Sequence, residues 1–549
     1  MPTISWSNPV RRRGKQALAP IPNELYLEIL KNLRPPKAEP WLDRSTIRRL
    51  ARLSLVCRFF YSVMAPWMFE SMEVIFRARK DGSASQELRK FCKAVGARGE
   101  AAKTAAKYVK RCSITCLSIE LDKPEDPAPI ERACMSIYSK AVWHMSNMDN
   151  LNLSSVTVTK EFLLSLANLC NLKTLTVEDC LLAEDVNERH LRSVSSLKLK
   201  KLVATYTNMT GLAILNGTVA APFHRFFDHI APASLVEVTT SSWYLVKLLA
   251  RRKETLSLET LCMLFVNDIH LLPTLFQRMP SLKTLRALGA LQLLDEPDIP
   301  FRLDSELLPV LEEVHAPVAL LSGIIPRRPI SNIQILQLAE IDPVVKAGDI
   351  AAFTSSSSVI HEMQIHPHLY SQYPFFRHFP GLKTLRINLI RHKFDSSDQK
   401  DIHEELSDVR LCHFVILPCS SWLRIPQILT MIFNAYPMHP PLHTVKLELE
   451  ERGMVEKFLD LPKQHQWISD ILEPKLPTLR CVRLSDFMQW TYCERKKEWI
   501  PMLFPRYARV VISLYKTFRG SIDLVDFGGY FHHLLRHVKE SDNWDEDSD

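Results

Sequence analysis

At 549 residues, 46% hydrophobic and 24% charged, with only 14 Gly, the chain has the balance of a folded protein large enough for several domains, which excludes global disorder. Its apolar runs all fall short of the ~18 residues that cross a bilayer, and the opening MPTISWSNPVRRRGK has no apolar secretory core. A soluble, intracellular protein, cytoplasmic or nuclear and with no membrane partner, is therefore expected. The net charge of +8 is modest and uneven: residues 1–18 read as a disordered basic tail (Arg11, Arg12, Arg13, Lys15) and 539–549 as a disordered acidic one (SDNWDEDSD from Ser541). A nuclear address or a nucleic-acid contact is the sharper reading of the basic cluster.

In chain order, residues 19–76 form the first unit. Pro22 suits the first turn of a helix, where its missing N–H has no partner to lose. Leu25 and Ile29 then share a face, with Tyr26, Leu30 and Leu33 alongside, until Pro35-Pro36 end the helix. A second helix is expected from about Ser45, a candidate cap, with Ile47, Leu50, Leu53 and Ser54 as its stripe and Val56, Cys57 and Phe60 continuing the apolar surface. Pro66 interrupts the pattern before Trp67, Met68 and Phe69. Fewer than 60 residues cannot close a core, so this unit is expected to dock on something.

The order of residues in IPNELYLEIL and LSLVCRFFYSVMAPWMF resembles the F-box, although the linker Arg34–Arg44 is longer than in many F-boxes. The resemblance covers about a tenth of the chain. It implies an all-helical module that grips a Skp-type adaptor and, through it, a cullin scaffold. It assigns the adaptor contacts to Pro22, Leu25, Ile29, Leu30, Leu53, Val56, Cys57, Phe60, Pro66 and Phe69.

A charged, Ala-rich helical connector follows over 77–110. Across 111–488 apolar residues recur at positions 1, 4 and 6 of a short unit. These are Ile114/Leu117/Ile119, Met148/Leu151/Leu153, Leu172/Leu175/Val177, Leu199/Leu202/Ala204, Leu258/Leu261/Met263 and Leu282/Leu285/Ala287. Further copies are Ile333/Leu336/Leu338, Leu382/Leu385/Ile387, Leu442/Val445/Leu447 and Leu479/Val482/Leu484, with weaker ones from Leu235, Leu311, Ile360 and Leu411. The strings NLKTL, SLKTL and GLKTL begin at Asn171, Ser281 and Gly381. Several intervals sit near the leucine-rich-repeat period of about 20–29 residues, and others are longer. Positions 4 and 6 share one face of a strand, and no unit buries that face alone. The fold class expected is α/β: the helical F-box, then an irregular leucine-rich-repeat solenoid with a parallel sheet. Residues 489–538, aromatic and basic, read as a helical cap.

Cations fall between the apolar anchors at Lys173, Lys283, Arg286, Lys383, Arg386, Lys446, Arg480 and Arg483. If the strands align, they line the concave face and suit an acidic or phosphorylated protein segment; a solvated charged face is the plainer reading. The sequence has no P-loop, no G-x-S-x-G and no dinucleotide fingerprint. The pair His533 and His537 lacks the Glu of a zinc-hydrolase helix, and His361, His366 and His368 sit on a strand and turn. The 12 Cys, with Cys112/Cys116 and Cys412/Cys419 the closest pairs, have no zinc spacing and read as buried thiols. No catalytic residue, metal or cofactor is expected. The function implied is the substrate-recognition subunit of an SCF-type ubiquitin ligase. The alternatives are a non-catalytic repeat scaffold and a nucleic-acid-binding solenoid, the latter disfavoured because few aromatics interleave with the cations.

Overall fold

The computed structural model describes residues 12–13, 16–17, 23–31, 44–77, 86–97, 99–117, 128–206, 223–288, 301–336, 345–365, 378–379, 381–388, 413–417, 444–447, 461–474, 479–483 and 488–503. The chain divides into two compact units, Met1–Leu264 with Thr274–Pro280, and Phe265–Pro273 with Ser281–Asp549. Within the tail expected to be disordered, β1 (Arg12–Arg13) and β2 (Gln16–Ala17) pair antiparallel across Gly14-Lys15.

The opening module consists of α1 (Asn23–Lys31), α2 (Arg44–Ser54) and α3 (Arg58–Phe69). Leu30, Leu50, Phe59 and Met64 are buried together, with Tyr26, Leu53, Cys57, Phe60, Val63, Trp67 and Met68 packed around them. The expected long second helix is broken. The chain turns at Leu55-Val56, and the Cys57 thiol accepts the Phe60 N–H at 3.5 Å to cap α3. Pro66 lies inside α3 rather than ending it. Ser45 falls inside α2, which begins at Arg44 and not at the expected cap.

The first unit continues with β3 (Ser71–Arg77), α4 (Gln86–Gly96), α5 (Glu100–Ala106), β4 (Arg111–Leu117), α6 (Ala128–Val142), β5 (Asn150–Ser154) and β6 (Thr157–Val158). Next come α7 (Lys160–Ala167), β7 (Thr174–Glu178), β8 (Leu181–Leu182), α8 (Glu188–Ser193), β9 (Lys201–Thr205), β10 (Glu237–Thr240) and β11 (Thr260–Met263). Strands β3, β4, β5, β7, β9, β10 and β11 pair in that order, all parallel. Their register aligns one repeat position, running Met72, Cys112, Leu151, Leu175, Leu202, Val238, Leu261. All seven are buried, as are the residues two further on, Val74, Ile114, Leu153, Val177, Ala204, Thr240 and Met263. One face of each strand is therefore core, supplied by positions 4 and 6 of the repeat.

Three sequence expectations shift against this register. The sheet begins at Ser71, inside the segment assigned to the F-box, because Phe69, Met72 and Val74 repeat the 1-4-6 spacing. The next repeat is Val109/Cys112/Ile114, not Ile114/Leu117/Ile119; Val109, Cys112 and Ile114 are fully buried, and Cys serves as the small apolar anchor. In the second unit the anchors are Ile330/Ile333/Ile335, not Ile333/Leu336/Leu338. A slip by three residues would carry the apolar set to the opposite face of the strand.

The second unit contains β12 (Thr284–Ala287), β13 (Glu313–Pro317), β14 (Asn332–Leu336), β15 (Glu362–Ile365), β16 (Thr384–Asn388), β17 (His413–Leu417), β18 (Thr444–Leu447) and β19 (Cys481–Arg483), paired in order and parallel. Leu285, Val314, Ile333, Met363, Leu385, Phe414, Val445 and Val482 align across it. Then β20 (Met488–Cys493) and β21 (Glu498–Leu503) form an antiparallel hairpin on β19. The first third of the expected helical cap is thus strand. Trp490 and Trp499 are buried at even spacing around the Glu494–Lys497 turn, with Lys497 in the left-handed region (φ 54°). The Trp490 indole donates to the buried Gln464 amide oxygen at 2.9 Å, which satisfies both polar groups. Residues 504–538 and the acidic tail lie outside the described residues.

Both units share one backbone device. The carbonyl of the residue two before each core anchor accepts two N–H groups from the next repeat. Lys110 O accepts from Asp149 and Asn150, Lys173 O from Lys200 and Lys201, and Lys283 O from Glu312 and Glu313. Such bifurcated bonds let the chain bend into each strand without leaving a buried donor unpaired. Among the described residues no helix is long and apolar enough to cross a membrane.

Candidate functional site

Two surfaces hold the residues singled out by sequence. The first is the outside of α1–α3. Leu30 points inward at 2% exposure, as does Tyr26, whose ring meets Phe59 and Phe60 at 6.1 and 5.8 Å. That orientation leaves Leu25 and Ile29, one turn apart on the neighbouring face of α1, 55% and 57% exposed. At the α2–α3 turn Leu55 is 85% and Val56 65% exposed. Scattered surface leucines are ordinary, but four aliphatic side chains of one small module are this open.

The other adaptor-contact candidates are divided. Leu53, Phe60 and Cys57 are half-buried around the module core. Pro66 is half-buried in α3, and Phe69 stacks on Phe91 of α4 with ring centres 5.3 Å apart. Pro22 lies outside the described residues. Sequence reasoning missed Leu55, together with the less open Leu27, Ile47 and Tyr61. An uninterrupted second helix gives Leu55 no special place, and only the break after Ser54 turns it out.

The second surface is the sheet face opposite the core. The cations there form two rows, not one stripe. Arg286, Arg386, Lys446 and Arg483 occupy strand positions between the core anchors, aligned in the second unit with His315, Gln334, Gln364 and Val415. Lys283, Lys383 and Arg480 precede their strands and are exposed, as is Lys173 in the first unit. In the first unit the positions between anchors are Glu73, Ser113, Asn152, Thr176, Val203, Thr239 and Cys262, which are nearly neutral.

Not every cation on this face is available. Arg286 donates to Glu313 at 3.0 Å, and His315 Nε2 reaches the same carboxylate oxygen at 2.7 Å. The His315 hydrogen bond, then Arg286, hold the Glu313 carboxyl down at about 2 despite its partial burial. Arg480 pairs with Glu494 at 2.5 Å and lies 5.4 Å from the Tyr492 ring centre. In the first unit Lys201 and Glu237 neutralise each other at 2.6 Å.

Among the described residues no three or more His, Cys, Asp or Glu side chains gather in a way that would hold a metal. His361 Nδ1 contacts the Gly381 carbonyl at 3.2 Å; His366, His368, His533 and His537 lie outside the described residues, as do Cys412 and Cys419. Cys112 and Cys116 are buried and in no disulfide, and burial pushes the Cys112 thiol up.

No protein-family model matches the chain, and no curated protein does. Solved structures do. The chain is similar to one in the crystal structure of the Rad7 and Elc1 complex in yeast, at 12% identity over 79% of this chain and 96% of that one, with a TM-score of 0.33. It is also similar to one in the TLR13–ssRNA13 complex, at 14% identity over 69% of this chain and 56% of that one (TM-score 0.30). A third is the internalin inlF of Listeria monocytogenes, at 10% identity over 60% and 88% (TM-score 0.23). The chain itself has a leucine-rich-repeat-like α/β fold, defined by its aligned anchor columns and parallel sheets.

Proposed function

We propose that the chain is the substrate-recognition subunit of an SCF-type ubiquitin ligase. The α1–α3 module docks on a Skp-type adaptor and so on a cullin scaffold. The repeat sheet holds a protein target, and ubiquitin transfer takes place on other subunits, with no catalysis by this chain. The observation that carries the reading is the outward set Leu25, Ile29, Leu55 and Val56. A solvent-facing aliphatic surface on a module with its own small core is stabilised by an apolar partner. The cationic positions of the second unit suit an acidic or phosphorylated target segment, with Arg386, Lys446 and Arg483 in one register row.

The test is capture of a purified Skp-type adaptor by the full chain and by Leu25→Asp/Val56→Asp. Both side chains point outward, so the double variant leaves Leu30, Leu50, Phe59 and Met64 in place. Binding is expected to weaken at least about 30-fold, as when a buried interface anchor worth about 2 kcal/mol is lost. A wild-type chain that captures no adaptor would leave a non-catalytic repeat scaffold as the reading.

A further inference from the structure

The second helix of the opening module has a charge imbalance that an apolar dock alone does not use. From Arg44 to Phe69 the chain carries Arg44, Arg48, Arg49, Arg52 and Arg58 and no Asp or Glu. Leu50 is fully buried and Ser54 nearly so. That fixes the rotation of α2 and turns Arg48 and Arg52, one turn apart, to the outside, with Arg49 at their flank. Arg58 is exposed at the start of α3. None of Arg48, Arg49, Arg52 and Arg58 forms an ion pair among the described residues. Leu55 and Val56 stand between these cations, 85% and 65% exposed.

We propose that this face binds a protein groove that is apolar at its centre and rimmed by Asp and Glu side chains. The groove takes Leu55 and Val56, and the rim meets the four arginines. The proposal rests on the adaptor-docking reading and adds the charge of the adaptor's surface. Charge complementarity selects this partner over others. Nucleic acid would pair with the guanidinium groups but leave the two aliphatic side chains in water. An anionic membrane needs a broad apolar face along a helix, and α2 turns outward only Ile47, with Leu55 and Val56 in the turn beyond it. Rim charges act chiefly on the association rate, by steering.

The experiment measures association of purified Skp-type adaptor with the immobilised full chain from about 50 to about 500 mM NaCl, over which the screening length falls from roughly 13 to roughly 4 Å. The expected result is a wild-type rate that drops steeply with salt, and at low salt a rate at least about tenfold lower for Arg48→Glu/Arg52→Glu. Arg48→Lys/Arg52→Lys, which keeps the charge, stays within about twofold; a matching thermal midpoint shows that the charge-reversed module is folded. Equal rates for wild type and the Glu variant, or a salt-independent rate, overturn this proposal and leave the adaptor reading standing. Failure of the wild type to bind adaptor overturns both. Binding to phosphatidylserine vesicles instead of adaptor assigns the face to a membrane and overturns it as well.

Discussion

Arg328 and Glu313 show how differently this fold treats two charged residues. The Arg328 guanidinium is wholly buried, donating to the carbonyls of Leu307 at 2.8 Å, Pro326 at 3.0 Å, Ile324 and Asp304. Burial lowers its pKa to about 10, which still leaves it charged at neutral pH. It ties the 304–307 segment to the end of the helix Val318–Ile324, its donors meeting carbonyls of both. Glu313 instead sits at the sheet surface, where its partners decide the stability it adds. Because its folded pKa, about 2, lies below the ordinary 4.5, the Glu313 contribution is complete above about pH 4.5 and disappears as pH falls toward 2. Arg286 is half exposed, so solvent screening reduces the contribution to about 1 kcal/mol. Glu313→Gln should therefore lower the unfolding free energy at pH 6 by about that amount, read from urea denaturation, and leave it unchanged near pH 2. A variant equally destabilised at both pH values would show that packing, not the charge, matters there.

At the scale of elements, the second unit depends on one close approach. The helix Val318–Ile324 packs against the irregular segment at Phe301–Leu303, and the Leu303 N–H donates to Gly323 O at 3.3 Å. A Cβ on Gly323 would fall on the Phe301 carbonyl, 2.8 Å from its carbon, and backbone cannot swing aside as a side chain can. Gly323→Ala should cost about 2–3 kcal/mol, read as a fall in the urea midpoint. Much of the repeat pattern was legible in sequence. The NLKTL, SLKTL and GLKTL strings set Leu175, Leu285 and Leu385 in their correct columns. Errors arose where apolar residues were dense enough to fit two registers. ITCLSI around Ile114 matches the 1-4-6 spacing as well as the true anchors Val109, Cys112 and Ile114 do. Met72 and Val74 were hidden because the F-box resemblance already accounted for Phe69–Phe76. The hairpin at 488–503 was missed because its basic turn residues, read by composition, masked the period-two placing of Trp490. Of the outward side chains, Leu25, Ile29 and Val56 were named through the F-box resemblance, whereas Leu55 required the helix break. The cation rows were legible as positions, but not the Arg286–Glu313 pairing, which joins residues 27 apart.

On the scale of the whole molecule, each parallel strand within a unit pairs with its neighbours in register, as the aligned columns show. In such an array, stability is close to a sum of repeats and their shared interfaces, so damage should spread by adjacency and fade with distance along the sheet. Leu175 tests this within the first unit. It is fully buried and aligned with Leu151 on one side and Leu202 on the other. Leu175→Ala removes its contacts with both and leaves a cavity, at a cost of about 2–5 kcal/mol. Hydrogen exchange should then quicken most in β5 and β9, less in β4 and β10, and least in β3. Uniform quickening across these strands would mean that the unit unfolds as one cooperative block. The irregular spacing would then have been absorbed into a single core, instead of leaving a chain of separately adjustable repeats.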